Sequence, residues 1–344
     1  MLSELSSTLT PLIGLLPVLL FLLALVYFDS YKLMKLRTVI GVLAAGAAMA
    51  FVSFFVNGWL IDTLDLEFEA YSHGIAPAVE ESLKALVMLY LFKTHRIGFL
   101  VDAAILGFGT GAGFAVVENI YYLFVNVDAA LGLWIVRGFG TALMHGAVAA
   151  IFGVLLLAIS ETRARANFLS FLPCLLAATA IHAAFNHFFL SPVVSTMATV
   201  LIMPIVLYEI FQLSERRLGK WLGTGFDADA RMLELLNSGQ FADSALGKYL
   251  HTLKDRFNGP VVADILCYVR LYTELALRAK GLLLMRENGF DVPVDELTRA
   301  KFVEMQYLES SIGKTGLLAI QPMLHISRKK LWQLYILDEG FQAG

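Results

Sequence analysis

Residues 73–92 read HGIAPAVEESLKALVMLYLF, an apolar run that contains two adjacent glutamates and, four positions after the first, a lysine. A helix needs about 20 apolar residues to cross a bilayer. Ionisable side chains are costly in hydrocarbon, so Glu80 and Glu81 in such a segment indicate a functional site. Glu80 and Lys84 are four residues apart and share a helix face, so Lys84 can neutralise part of the carboxylate pair.

The composition indicates an integral membrane protein. Hydrophobic residues make up 58% of the 344 residues and charged residues only 16%, and the mean hydropathy is +0.70; ordinary soluble domains are much more polar. The net charge of −3, with basic residues spread over short loops, gives no sign of a nucleic-acid partner. Two widely separated cysteines, Cys174 and Cys267, exclude a disulfide framework and a thiolate metal site.

Six further stretches have the length and apolar character of membrane spans, so we predict an all-α polytopic bundle of about seven helices. The predicted spans are residues 9–28, 38–61, 73–92, 99–125, 131–160, 168–190 and 193–213. Beyond residue 213, charged residues recur every few positions and the periodicity is helical. We therefore predict a membrane domain, residues 1–213, and a helical domain, residues 214–344, which regulates activity, mediates oligomerisation or binds a protein partner.

Loop charges orient the predicted spans, because Lys and Arg near span ends prefer the cytoplasmic side. They occur in alternate connections and after the last span, as Lys32, Lys35, Arg37, Lys93, Arg96, Arg163, Arg165, Arg216, Arg217 and Lys220. The intervening connections contain no Lys or Arg. We therefore predict a multi-pass protein of the plasma membrane, with its N-terminus outside and residues 214–344 in the cytoplasm.

Three other spans contribute polar groups: Glu118 in the fourth, His145 in the fifth, and His182 with Asn186 in the sixth. At about 1.5 Å of rise per residue, the predicted topology puts these groups and the two adjacent glutamates in the outer half of the bundle. We expect them to form one site. Arg137, at the outer end of the fifth span, either pairs with Glu118 or extends to the interface.

This combination of groups is typical of a hydrolytic site. A buried carboxylate could take a proton from water, and an imidazole with an amide on the same helix face could stabilise an oxyanion. Peptide hydrolysis would then need no covalent intermediate. The alternative function is a proton- or cation-coupled transporter or channel that uses the buried Glu and His residues. The sequence has no inverted repeat, which favours hydrolysis over transport.

The order of the polar motifs resembles that of the PrsW family of intramembrane proteases, which is related to the CAAX prenyl endopeptidases and the CPBP group. The resemblance covers residues 77–186. The motifs that carry it are Glu80-Glu81-x-x-Lys84, Phe114-x-x-x-Glu118, the isolated His145 and His182-x-x-x-Asn186. The small-residue spacing of Gly107, Gly109, Gly111 and Gly113 before Glu118 predicts close helix packing.

The resemblance implies a membrane-anchored protein substrate, such as an anti-sigma factor, that is cleaved near the outer face of the bilayer. It implies essential carboxylates at Glu80 and Glu81, with the residue at position 118 helping to activate water. It also implies a site role for His145 and oxyanion stabilisation by the sixth-span pair. A catalytically inactive scaffold of the same fold is a third interpretation, which the intact motifs disfavour.

The resemblance leaves the choice between glutamate and zinc catalysis open. The related prenyl endopeptidases carry His at the position of Glu118, and two His with several Glu could supply three zinc ligands. The zinc set would be Glu81, His145 and His182. The chain contains no HExxH sequence, and the resemblance favours a glutamate protease. We therefore expect no cofactor, with zinc as the alternative.

Overall fold

The computed structural model describes residues 2–29, 34–94, 96–162, 168–238, 240–290, 293 and 295–324. Lys32, Arg163 and Arg165, which contributed to the predicted orientation, lie outside these residues. The described residues form helices and contain no strand. The helices are α1 (Leu2–Tyr27), α2 (Leu36–Leu64), α3 (Phe68–Lys93), α4 (Leu100–Val125), α5 (Leu131–Ile135), α6 (Ala142–Thr162), α7 (Phe168–Asn186), α8 (Pro192–Asn237), α9 (Ala245–Leu253), α10 (Gly259–Glu287) and α11 (Glu296–Leu324).

The predicted all-α membrane bundle is confirmed. Within the described residues, five helical segments are long and apolar enough to cross a membrane: α1, α2, α4, the continuous segment from Leu131 to Ser160, and α8. The third and sixth predicted spans correspond to α3 and α7. α3 is the more polar of the two, and α7 is short, so their crossing stays a prediction. The chain is a multi-pass membrane protein.

The C-terminal ends of the sixth and seventh predicted spans differ from those of their helices by four residues or more. α7 ends at Asn186, and not at residue 190, because the chain turns at Phe188, whose φ is 43°. α8 does not stop at residue 213 but continues as one helix to Asn237, across Gly219, Gly223 and Gly225, since single glycines weaken a helix without having to end it. The predicted domain boundary therefore falls inside a continuous helix. The chain divides into two compact units, Met1–Glu215 and Arg216–Gly344.

α4 lies at the centre of the membrane unit and packs chiefly against α6 and α2. Its residues from Leu100 to Ala115 are all buried. The alternate glycines before Glu118 face two neighbours: Gly107 and Gly111 lie against the α6 backbone, and Gly113 lies against the α2 backbone. This close approach brings the polar residues of α4 and α6 within reach of each other.

The second unit is helical and has its own apolar core, built around α10 with α9 and α11. The Lys280 side chain is fully buried and its Nζ donates to Asp229 Oδ2 at 2.6 Å, which links α10 to the end of α8. Gly313, at φ 68°, breaks α11 into two helical pieces.

Between α5 and α6, residues Val136–Thr141 form a π-helical turn, so α5, this turn and α6 make one continuous helical segment. The amide of Ala142 donates to the carbonyl of Arg137, five residues earlier, which is the bond that defines a π turn. Single π turns in α-helices often mark functional sites.

Candidate active site

α3 supplies a buried ion pair. Lys84 Nζ donates to Glu81 Oε1 at 2.5 Å, and the two side chains are only 1% and 2% exposed. The sequence spacing favoured Glu80, four residues away, as a partner of Lys84, but the observed partner is three residues away. Glu81 and Lys84 face the interior because each has a second hydrogen-bond partner on another helix, His182 for Glu81 and His145 for Lys84.

α6 supplies His145, which connects Lys84 to α4. His145 Nδ1 is 2.9 Å from Lys84 Nζ, and His145 Nε2 is 2.8 Å from Glu118 Oε2. An ammonium group can only donate, so Nδ1 accepts and Nε2 carries the proton that Glu118 accepts. We infer this tautomer from the hydrogen-bond network. Both ring nitrogens of His145 are therefore engaged.

Glu118 binds two groups from the Leu131–Ser160 segment. Its Oε2 accepts from His145, and its Oε1 accepts from Arg137 Nη2 at 2.9 Å. Arg137 Nε in turn donates to Asn119 Oδ1 at 2.9 Å, and Asn119 Nδ2 donates to the Gly14 carbonyl at 2.7 Å. Of the two alternatives for Arg137, the structure has the ion pair with Glu118.

α7 supplies His182, whose two nitrogens face two different glutamates. His182 Nδ1 is 2.8 Å from Glu81 Oε1, and His182 Nε2 is 3.9 Å from Glu80 Oε2. Glu81 accepts from Nδ1, which therefore carries a proton, and in the neutral imidazole Nε2 is then the nitrogen with a lone pair. The rings of His182 and His145 meet edge to face, with centroids 4.7 Å apart.

The two adjacent glutamates have different environments. Glu81 is engaged by Lys84 and His182, whereas Glu80 makes no hydrogen bond to any described residue and is 16% exposed. The ion-pair contact of Glu80 is the 3.9 Å approach to His182 Nε2, which is too long for a direct hydrogen bond. The Glu80 carboxylate therefore faces the polar cluster without a hydrogen bond to any described side chain.

The structure brings five of the six predicted catalytic residues into one cluster with Lys84. The sixth, Asn186, lies one turn beyond His182 on α7, and its Nδ2 donates to the Ser72 carbonyl at 3.1 Å. Its oxyanion role stays a prediction. The sequence offered no signal for Asn119, because an asparagine beside a motif glutamate has many ordinary explanations.

The candidate metal ligands in the structure include Glu80 in place of Glu81 of the predicted zinc set. Glu80, His145 and His182 offer ligand atoms within 4.8 Å of one another, so this group could hold a metal ion. Glu81, in the predicted set, is instead bonded to Lys84 and His182. His182 suits a metal, because Nε2 is free and Nδ1 donates to a carboxylate. His145 does not fit in this arrangement, because binding a metal would displace Lys84 or Glu118.

Comparison with protein families agrees with the motif resemblance. Residues 31–209, more than half of the chain, match the model described as "PrsW family intramembrane metalloprotease". The match contains the whole cluster on α3, α4, α6 and α7. No curated protein and no solved structure matches the chain. Since the family model covers most of the membrane unit, the chain belongs to the PrsW family and is an intramembrane protease.

Proposed function

We propose that the protein hydrolyses a peptide bond in a membrane-anchored protein near the outer face of the bilayer, with Glu80 as general base. The observation that carries this proposal is the 3.9 Å separation between Glu80 Oε2 and His182 Nε2, the nitrogen that is unprotonated in the neutral Nδ1–H tautomer. Two acceptors at this separation suit a water molecule that donates one hydrogen to each. The water oxygen is then left with its lone pairs available for attack.

Glu80 carries a proton from the attacking water to the leaving peptide nitrogen. The water oxygen forms a bond to the peptide carbonyl carbon while Glu80 takes the proton, and the carbonyl oxygen becomes an oxyanion. Glu80 then gives this proton to the peptide nitrogen as the carbon–nitrogen bond breaks. Glu81 accepts from His182 Nδ1–H and so fixes the tautomer that leaves Nε2 facing the water.

The other polar residues act around this centre. Lys84 forms an ion pair with Glu81, and His145 joins Lys84 to Glu118. We propose that Asn186 donates a hydrogen bond to the oxyanion, because its amide has a second hydrogen besides the one donated to the Ser72 carbonyl. A membrane-anchored anti-sigma factor is the first substrate to test. We further propose that residues 214–344 lie in the cytoplasm and regulate the site or bind a partner.

A zinc-dependent protease is the second candidate, favoured by the family name and by the proximity of Glu80, His145 and His182. If bound there, zinc would supply Lewis acidity. His145 uses both nitrogens in its hydrogen bonds to Lys84 and Glu118, so in this arrangement it has no free nitrogen for a metal. A transporter function has no comparable support, since the chain belongs to a protease family.

The test is cleavage of single-span substrates by the purified full chain in liposomes, with and without a chelator. We expect Glu80→Gln and His182→Ala each to lower kcat by about 10²- to 10⁴-fold, the usual contribution of general acid–base groups. Glu69→Gln, which removes an exposed carboxylate of the same helix, is the matched control. Undiminished cleavage by both site variants would overturn the proposed site.

The chelator separates the two mechanisms. The glutamate mechanism predicts that cleavage continues after prolonged chelation. Loss of cleavage on chelation, with recovery when zinc is added back, would instead establish the zinc enzyme. Family membership would stand in either case.

A further inference from the structure

Arg137 lies outside the motifs that define the family resemblance, yet it reaches the polar cluster through two directed hydrogen bonds. Its Nη2 donates to Glu118 and its Nε donates to Asn119, each at 2.9 Å. Its guanidinium carbon also lies 3.7 Å from the centroid of the Tyr122 ring. Three side chains near the end of α4, those of residues 118, 119 and 122, therefore hold one arginine in a defined orientation.

The π turn explains why Arg137 can share Glu118 with His145. Eight residues separate the two, which in an uninterrupted α-helix would turn them about 80° apart. A π turn absorbs one extra residue, so the effective separation is close to seven α-helical steps, and the two side chains come within roughly 20° of the same face. One reaches Glu118 Oε1 and the other Oε2.

Packing against α1 holds the π turn in place. Gly138, within this turn, lies so close to α1 that a Cβ atom would be 1.9 Å from the Ile13 carbonyl. The next carbonyl along α1, that of Gly14, accepts the hydrogen bond from Asn119. The orientation of Arg137 is therefore set by α1 and α4 together, and not by its own helix alone.

From Arg137 a continuous series of polar contacts leads to the proposed water-activating pair. Glu118 links Arg137 to His145, His145 accepts from Lys84, and Lys84 binds Glu81. Glu81 in turn accepts from His182 Nδ1. Each contact restricts the next, because every group in the series except the terminal ones has two partners.

We propose that Arg137, placed by the π turn, is a positioning residue for hydrolysis: it fixes Glu118, and Glu118 fixes the Nε2–H tautomer and ring orientation of His145. This inference rests on the proposed function, because it treats His145 and Lys84 as supports of the Glu81–His182 pair. Among the described residues, Arg137 makes no hydrogen bond or ion pair with Glu80 or His182; its ion pair is with Glu118.

The first test is a kinetic double-substitution cycle on the full chain, combining Arg137→Met with Glu118→Gln. We expect Arg137→Met to lower kcat by about 10- to 100-fold with little change in KM, as expected when reacting groups are misplaced by a fraction of an ångström. Arg137→Lys keeps the charge and should recover part of the loss. Tyr121→Phe, on the neighbouring exposed ring, is the control that retains native activity.

The cycle overturns the proposal if Arg137→Met causes the same fold-loss in the Glu118→Gln background as in the native one, because the arginine would then act independently of Glu118. If Arg137→Met does not fold, Asn119→Leu replaces it. That variant removes one orienting bond and keeps the arginine, and we expect a smaller loss of kcat that likewise disappears in the Glu118→Gln background.

The second test does not depend on protease activity. ¹⁵N NMR of histidine-labelled full-length protein, with His145 assigned by comparison with His145→Gln, should show the Nε2–H tautomer in the native chain. Arg137→Met should shift or broaden this signal. An unchanged His145 signal would overturn the positioning role, whereas failure of the proposed function would appear separately, as cleavage that survives Glu80→Gln.

Discussion

At the scale of single residues, the two adjacent glutamates have separate tasks. Glu81 belongs to a buried ion pair with Lys84, whereas Glu80 is partly exposed and has no hydrogen bond from a described residue. Removing one member of a buried ion pair destabilises the fold, because the charge of the other member is left uncompensated. Substitutions at the two positions should therefore have different consequences.

Glu80→Gln should lower kcat by about 10²- to 10⁴-fold with little effect on stability, because Glu80 acts as the base but supplies no hydrogen bond that holds helices together. Glu81→Gln should lower both cleavage and stability, since it leaves Lys84 without its ionised partner and weakens the hydrogen bond from His182 Nδ1. Thermal unfolding and cleavage of the two purified variants provide the comparison. Equal loss of stability in both variants would contradict this division of roles.

Lys84→Met should destabilise the membrane unit by about 3–5 kcal/mol, the usual effect of removing one member of a buried ion pair. The double variant Glu81→Gln with Lys84→Met should be more stable than Lys84→Met alone, because it buries no lone carboxylate. Denaturant unfolding of the detergent-solubilised chain measures both effects. Lys93→Met, at the exposed end of the same helix, serves as the control and should change little.

At the scale of helices, the site depends on how closely α4 approaches α6. A Cβ atom on Gly111 would lie 2.1 Å from the His145 carbonyl oxygen, and one on Gly107 would lie 2.5 Å from the Ala149 carbonyl. These contacts involve backbone atoms, which cannot move without shifting a helix. The two glycines therefore set the distance across which Glu118 reaches His145.

Gly111→Ala should push α4 from α6, destabilise the fold by about 1–3 kcal/mol and lower cleavage, because overpacking forces backbone shifts. Gly41→Ala is the matched control, since a Cβ atom there would meet nothing within 4 Å. That change should leave activity intact and raise helix stability by up to about 1 kcal/mol. Similar behaviour of the two variants in unfolding and cleavage assays would refute the packing explanation.

At the scale of the whole molecule, two native cysteines allow the predicted topology to be measured. Cys267, in the second unit, is exposed, and Cys174, on α7, is buried. With residues 214–344 in the cytoplasm, a membrane-impermeant maleimide should label Cys267 in inside-out vesicles and not in intact cells. Asp128→Cys, in a connection predicted to lie outside, should give the opposite pattern in a Cys267→Ser background. Labelling of Cys267 in intact cells would reverse the predicted orientation.

The sequence by itself was sufficient for the membrane class, the helical fold and the helices that carry the polar motifs. These features follow from the hydropathy summed over about 20 neighbouring residues, because the transfer of an apolar segment into a bilayer does not depend on the helices it packs against. Span ends and the rise per residue also allowed Glu118, His145 and His182 to be assigned similar depths in the bundle. Hydropathy does not predict the end of α8, which continues as a helix after its apolar stretch ends.

Only the tertiary structure decided which side chains bind each other. Lys84 could have paired with either glutamate of its own helix; it pairs with Glu81 because His182 and His145 approach from α7 and α6. Arg137 reaches Glu118 because a π turn rotates it onto the face of His145. Hydrogen bonds are directional and short-ranged, so such pairings depend on helix rotation and separation, which no single segment of sequence specifies.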